Sequence, residues 1–314
     1  MFLRNSRRLS LTLTAAAFIC AEPATAQGFF GSAGAEIDDG NGYVVLGAIG
    51  GSFSEHTTWD IAASRSETAT TLSDLTTTSF DGSVYHDFGN VGLRLRLGGW
   101  TDDEIVAADA LRAALDFHGE GWSFALESEL RQSDFEPITV NRTITLRDGT
   151  PILIRGLVDC AVDDTGLGAR LRLSNGAWSF GVSGMRFDYD DFGCDFSIPV
   201  LDDLRSSTRD EFVQFADSLA RVLSLGAGRN LLAENSFLDS RVGLSLSHDT
   251  GLRTYNVSYD STEDVFFGRT ADTLSGGVGF VLRSGNEIEI YAGVTEFDTR
   301  SSVAFLGFFL LILP

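Results

Sequence analysis

Apolar and polar residues change places at every step along long stretches of this chain. In Leu93-Arg94-Leu95-Arg96-Leu97 the charges fall on one side and the leucines on the other. The same rhythm recurs in 111–117, 122–127, 169–173, 242–246 and 288–292. Period two is the mark of a β-strand with one apolar and one polar face. A soluble sandwich alternates in the same way, so alternation alone leaves the architecture open. Length and punctuation narrow it. The alternating segments run about 10–13 residues, enough for a tilted strand to cross a bilayer. Globular strands centre on about 5–6.

Short turns are signalled at Ser54-Glu55, Gly89-Asn90, Gly119-Glu120, Ser174-Asn175-Gly176, Asp249-Thr250-Gly251 and Ser284-Gly285-Asn286. The connections between these hairpins are longer, acidic and variable. Counting from the turns predicts strands over 28–38, 42–54, 57–68, 76–88, 91–101, 106–118, 121–133, 164–174, 177–190, 236–248, 251–263, 269–283, 286–298 and 301–313. That makes about fourteen, an even number that brings both ends of the chain to one side. The first segment is weakly patterned, which leaves twelve as the alternative. Pro137, Pro151 and Pro199 fall in predicted outer loops and interrupt no predicted strand, as the missing N–H requires.

Composition removes several functions. The formal charge is −21, and a face that binds nucleic-acid phosphates needs the opposite sign. Every basic side chain other than histidine is arginine. The first residues read as a secretory signal over 1–26. Arg4, Arg7 and Arg8 precede an apolar stretch to Cys20, and Ala24-Thr25-Ala26 is a small-x-small cleavage site. A single domain over 27–314 is expected to follow. Loss of the signal makes the charge more negative by two, since Glu22 leaves with the three arginines. No segment reaches the ~18 apolar residues of a membrane-spanning helix. A closed barrel can still cross a membrane, because its backbone groups all pair between strands.

Aromatic residues gather at predicted strand ends. Phe53, Trp59, Phe88, Phe117, Trp122 and Trp178 lie near the short turns. Tyr43, Trp100, Phe135, Phe187, Tyr189 and Phe297 lie near the opposite ends. Two such belts are expected at the two interfaces of a membrane. Together these features resemble Gram-negative outer-membrane β-barrel proteins, in particular small porin-like barrels of about fourteen strands. The resemblance covers nearly the whole chain after the signal and rests on architecture; it brings no functional residues with it. It implies an all-β, closed, antiparallel transmembrane barrel in the cell outer membrane, with short turns in the periplasm and long loops outside. It also implies contact with lipid, lipopolysaccharide and the barrel-insertion machinery. Such barrels usually finish on an aromatic residue, whereas this chain ends Leu313-Pro314, with Phe305 and Phe309 in the expected phase.

Two outer loops are long, about 134–163 and 191–235. The first carries its own hairpin signal, with 138–146 and 152–154 flanking Asp148-Gly149. The second predicts a helix. Thr208 and Glu211 form a capping box, Phe212, Phe215, Leu219, Val222 and Leu223 share one face, and Gly226 supplies the stop. That apolar face is expected to cover the barrel mouth or rim, with a partner protein as the alternative. Cys160 and Cys194 remain after the signal and flank one hairpin, so a disulfide is expected to pin the loop bases together. Asp159, Asp163, Asp164, Asp188, Asp190, Asp191 and Asp195 crowd the same rim. Divalent cations could bind there, but a solvated acidic surface is the simpler reading, and the spacing is not that of an EF-hand. No resident metal and no cofactor are expected.

The inward face is where function is expected. Alternation assigns Arg94, Arg96, Arg112, Glu127, Glu129, Arg131, Arg170, Arg172, Arg253, Arg283 and Glu289 to the lumen. Glu127 and Glu129 lie between strands carrying Arg112 and Arg170/Arg172, so cross-strand ion pairs are expected. If water fills the space, these side chains line a pore and set its ion preference. If they pair completely, they plug it. His56, His86, His118 and His248 all fall at the periplasmic ends, far from the outer rim where barrel hydrolases carry their histidine. No nucleophile or acid–base set stands out. The first expectation is therefore a passive channel for ions or small solutes. The second is a structural or adhesive barrel presenting its outer loops, and the third is a barrel enzyme.

Overall fold

The computed structural model describes residues 29–69, 74–102, 106–135, 138–145, 151–190, 193–197, 237–265, 268–282, 284–298 and 300–313. Sixteen strands are present among them. They are β1 (Phe29–Asp38), β2 (Tyr43–Ser54), β3 (Thr57–Ala69), β4 (Asp74–Asp87), β5 (Val91–Asp102), β6 (Val106–Gly119), β7 (Trp122–Phe135) and β8 (Ile138–Thr145). Then follow β9 (Pro151–Asn175), β10 (Trp178–Tyr189), β11 (Gly193–Ser197), β12 (Leu238–Asp249), β13 (Arg253–Asp264), β14 (Thr270–Val281), β15 (Glu287–Phe297) and β16 (Arg300–Ile312).

Fourteen of these close a ring. Each strand pairs antiparallel with its neighbour from β1 to β7, then through β9 and β10 to β12, and on to β16. β16 returns to β1, with Gly31 opposite Ile312 and Asp38 opposite Phe305. The weakly patterned first segment is thus a full member of the wall, and the count is fourteen rather than twelve. A ring without a free edge excludes the sandwich that alternation alone allowed.

β8 and β11 lie outside the ring. Both pair with the first half of β9, which at 25 residues is about twice the length of β10 at 12. The second half of β9 belongs to the barrel, so the first half carries the wall beyond it. Pro151 opens β9, a position that needs no ladder hydrogen bond from its nitrogen. The signal over 1–26 and the helix expected over 208–225 lie outside the described residues.

The short turns fall where the sequence places them. Gly176 has φ +58° and Gly251 φ +84°, and neither meets an atom within 4 Å. The left-handed backbone there, and not lack of space, selects glycine. Asp249 locks its turn by accepting a hydrogen bond from the Gly251 N–H at 2.6 Å.

The outer face is apolar and bare. Leu126 is 49% exposed, Leu167 66% and Leu306 53%, and leucines, valines and phenylalanines repeat this round the ring. A water-soluble protein does not leave so continuous an apolar band uncovered. Hydrocarbon is the solvent that this surface fits. At the short-turn end the band finishes in aromatic rings. Phe53 stacks on Trp59 at 5.9 Å, and Trp178 packs against His248 at 4.3 Å.

The second belt departs from expectation. Of the six aromatics assigned to it, Tyr43 faces out. Trp100 shares its face of β5 with Arg94 and Arg96 and lines the interior. Phe135 and Phe187 are buried inside, and Phe135 stacks on Phe237 at 5.6 Å. Tyr189 and Phe297 share inward faces with Phe187 and Tyr291. Parity along each strand decides this: nearness to a strand end places a ring at an interface level but does not say on which side of the wall.

Candidate luminal site

Inside the barrel, arginine concentrates on one side. β5, β6, β7 and β9 turn Arg94, Arg96, Arg112, Glu127, Glu129, Arg131, Arg170 and Arg172 inward, on the faces opposite their leucines. β12 adds Arg241. At the centre Glu129 is gripped by two arginines. Arg112 donates to it through Nε at 2.8 Å and Nη2 at 3.3 Å, and Arg131 donates through Nη2 at 2.6 Å and Nε at 3.1 Å. Arg131 also lies 3.9 Å from Asp164 and stands 5.4 Å over the Phe187 ring. The Glu129 and Arg131 side chains are each only 3% exposed. Such a pair persists in the interior only because its charges are matched.

The neighbouring pairs are wetter. Arg96 meets Asp81 at 3.0 Å, Arg170 meets Glu127 at 3.3 Å and Asp116 at 3.5 Å, and Arg241 meets Asp260 at 3.7 Å. Arg172 donates to the Ser179 hydroxyl at 2.8 Å, and Arg94 lies 5.3 Å over the Tyr85 ring. Neither has a carboxylate within ion-pair distance among the described residues.

The opposite side carries short side chains. Ser64 and Ser79 bond across β3 and β4 at 2.6 Å, and Ser258 and Ser275 across β13 and β14 at 2.7 Å. Asn256 reaches over Gly277 to donate to Glu289. A Cβ at Gly277 would fall 2.7 Å from the side-chain ends of both partners, so glycine leaves the room in which that bridge sits.

Inward-facing aromatic rings lie flat over glycines of the adjacent strand. Tyr85 covers Gly92, Phe187 covers Gly166, Phe305 covers Gly293 and Tyr291 covers Gly307. Each glycine is where a Cβ would strike the ring, at 2.2 to 2.8 Å. The rings are thereby kept against the wall and out of the central space. Two cavities bounded by the described residues lie in that space. One of about 280 Å3 is bounded by Ser64, Ser79, Trp100, Arg112 and Arg241, among others. The other, of about 300 Å3, is lined by Arg94, Arg96, Arg112, Arg131, Arg170 and Arg241, with Glu127, Glu129, Met185, Phe187 and Leu238.

Of the residues assigned to the lumen, nine face it: Arg94, Arg96, Arg112, Glu127, Glu129, Arg131, Arg170, Arg172 and Glu289. Arg253 does not. It shares its face of β13 with Tyr255, Val257 and Tyr259, which are exposed on the outer surface, and lies 5.8 Å over the Phe280 ring at the short-turn end. Thr254, Asn256 and Ser258 take the inward positions, and parity leaves Arg253 none. Arg283 lies outside the described residues. Sequence reasoning missed Asp81, Asp116, Arg241 and Asp260, and named Asp164 only for the acidic rim. Arg241 was legible, because Val242, Leu244 and Leu246 alternate outward just after it.

Cys194 stands directly opposite Cys160 in the β9–β11 register. The acidic rim divides: Asp164 faces inward beside Arg131, while Asp163 and Asp188 face out. Among the described residues no group of three His, Cys, Asp or Glu side chains comes together as a metal site. His86 accepts or donates at 2.8 Å with the Thr57 hydroxyl, and His118 lies 3.6 Å from Asp87, both at the short-turn end.

A ring of fourteen strands, closed, apolar outside and polar within, defines an outer-membrane β-barrel protein, located in the outer membrane and porin-like in architecture. No family model and no curated protein matches the chain. Among solved structures it is similar to CdiB from Acinetobacter baumannii, at a TM-score of 0.44 and 11% identity, covering 91% of this chain and 60% of that one. It is also similar to OccK7 (OpdD) of Pseudomonas aeruginosa, at 0.40 and 11%, covering 92% and 98%. A loop-deletion form of OmpT, an outer membrane protein of Vibrio cholerae, matches at 0.42 and 9%, covering 93% and 100%. These likenesses are of overall shape only. The assignment to the outer membrane rests on the closed wall and its apolar band.

Proposed function

We propose that this barrel is a passive channel for ions or small solutes. The observation that carries this reading is the pair of cavities inside the ring, bordered by arginine and serine side chains. Two arrangements keep that space from filling. Ion pairs hold the long charged side chains along the wall, and glycines let the aromatic rings lie flat. Water-filled space lined by fixed charges conducts ions selectively. Planar-bilayer recording of the folded protein tests it. Steady ionic steps are expected, and silence from protein shown to be folded would remove the reading.

A second reading, a barrel that displays an outer surface, draws on the β8–β9–β11 extension. It assumes that Cys160 and Cys194 are joined. Direct opposition in an antiparallel pair brings Cα atoms to about 4.5–5.5 Å, within disulfide reach. The two thiols would give up two electrons and two protons to a disulfide-bearing oxidant of the periplasm. Mass spectrometry of a non-reduced digest should find the 160–194 linked peptide; two free thiols would exclude it.

A further inference from the structure

We infer that the luminal cavity of about 300 Å3, lined by six arginines, is a binding site for a small organic anion, with a carboxylate head and an apolar body. The inference deepens the channel reading, on which it rests, by naming the solute class. Six arginines line the 300 Å3 cavity against two glutamates. The carboxylates are held by arginine: the Glu129 side chain is 3% exposed, while the Arg112 that grips it is 39% exposed, and the 30%-exposed Glu127 is paired with Arg170 at 3.3 Å. An entering solute therefore meets more guanidinium than carboxylate.

Pairing does not exhaust these groups. A guanidinium carries five N–H donors, and an ion pair uses one or two. Arg112 spends two on Glu129. Arg94 has no carboxylate within ion-pair distance among the described residues, and its stacking on Tyr85 leaves its in-plane donors unengaged by that contact. Planar forked donors match a carboxylate edge to edge.

The remaining lining is apolar apart from Ser128 and Ser183. Met185, Phe187 and Leu238 border the same cavity. An inorganic ion would gain nothing from them, whereas a ring or short aliphatic body gains by leaving water. The volume suits a molecule of that size, at the low end for ligand pockets. The second cavity differs in its lining: Ser64, Ser66, Thr77 and Ser79 stand there beside Trp100, and Met185, Phe187 and Leu238 are absent from it.

Benzoate is the probe. Saturation-transfer NMR of the folded barrel in detergent should detect it and rank it about tenfold tighter than acetate, the size of the burial gained by a ring. Arg94→Gln, which breaks no ion pair among those described, should weaken benzoate about tenfold, the loss of one charged hydrogen bond. Arg172→Gln makes the same charge change on a side chain that does not line this cavity, and should leave binding within about twofold. Equal losses in the two variants would reduce the effect to general lumen charge and overturn the site. Equal binding of benzoate, acetate and inorganic phosphate would overturn the apolar half of it. Ionic steps from a barrel that binds no benzoate overturn this inference and leave the channel standing. Benzoate binding by a folded barrel that gives no steps overturns the channel instead.

Discussion

The two sides of the lumen solve the same problem in opposite ways. Both are made of strands that hide a polar face from lipid, and both must keep that face satisfied. The β5–β9 side uses long, ionised side chains that neutralise one another along the wall, with Glu129 held by Arg112 and Arg131. The β12–β4 side uses serine, threonine and glycine, whose hydroxyls pair at the wall itself, as Ser258 does with Ser275 and Thr273 with Thr295 at 2.9 Å. The first arrangement sets electrostatics and fills volume. The second yields volume and carries its charge mainly as carboxylates, with Asp81, Asp260 and Glu289 beside Arg241. Strand number fixes the circumference of a barrel, but the reach of its inward side chains fixes how much of the bore is left.

The contrast is broken most severely at its buried centre. Glu129→Ala takes away the shortest ion-pair contact of Arg131 and leaves a guanidinium 3% exposed in the wall. Removing one partner of a buried pair costs about 3–5 kcal/mol. Urea unfolding in lipid vesicles should show that loss. Ser258→Ala, at a hydroxyl pair on the other side, should cost about 1 kcal/mol. Equal costs at the two positions would mean that the walls are not held differently.

Glycines on the two sides give the next test. At Gly166 a Cβ would stand 2.8 Å from the Phe187 ring, and valine there must push the ring toward the axis. Overpacking of this kind costs about 1–3 kcal/mol. It should also lower single-channel conductance, because the displaced ring enters the arginine-lined cavity. Gly279→Ala meets its nearest atoms at 3.6 Å or more, an ordinary contact, and should leave both stability and conductance unchanged. A Gly166→Val channel of full conductance would show that Phe187 has another place to go.

Much of this was readable before any coordinates. Alternation located the fourteen strands, because period two is fixed by the backbone and survives any change of partner. It also placed Arg94, Arg112, Glu127 and Glu129 on the inner face, and their order along β6, β7 and β9 foretold which would meet. What alternation does not carry is phase across a turn. Arg253 begins its strand one residue after Leu252; its parity with Tyr255, Val257 and Tyr259 puts it outside, and the register with β14 lays it over Phe280. The luminal aromatics were misread for a related reason. Trp100 and Phe187 sit at interface height, yet their parity points them inward. The flat packing of rings on glycine pairs residues from different strands, such as Tyr291 with Gly307, and depends on register set by tertiary pairing.

The smallest effect separates the exposed ion pairs from the buried one on the same wall. Arg96 and Asp81 touch at 3.0 Å, but their side chains are 39% and 26% exposed. Water already solvates both charges, and salt screens what remains, so such a pair contributes about 0–1 kcal/mol. Asp81→Asn should therefore shift the urea midpoint barely at all. Its effect should appear in permeation instead. The substitution removes one negative charge from the edge of the smaller cavity and releases Arg96 toward the bore. The reversal potential in a salt gradient should move toward anions, and the shift should shrink as ionic strength rises. A stability loss as large as that of Glu129→Ala would mean that Asp81 is structurally buried in the working barrel. An unchanged reversal potential would mean that permeating ions do not pass this wall.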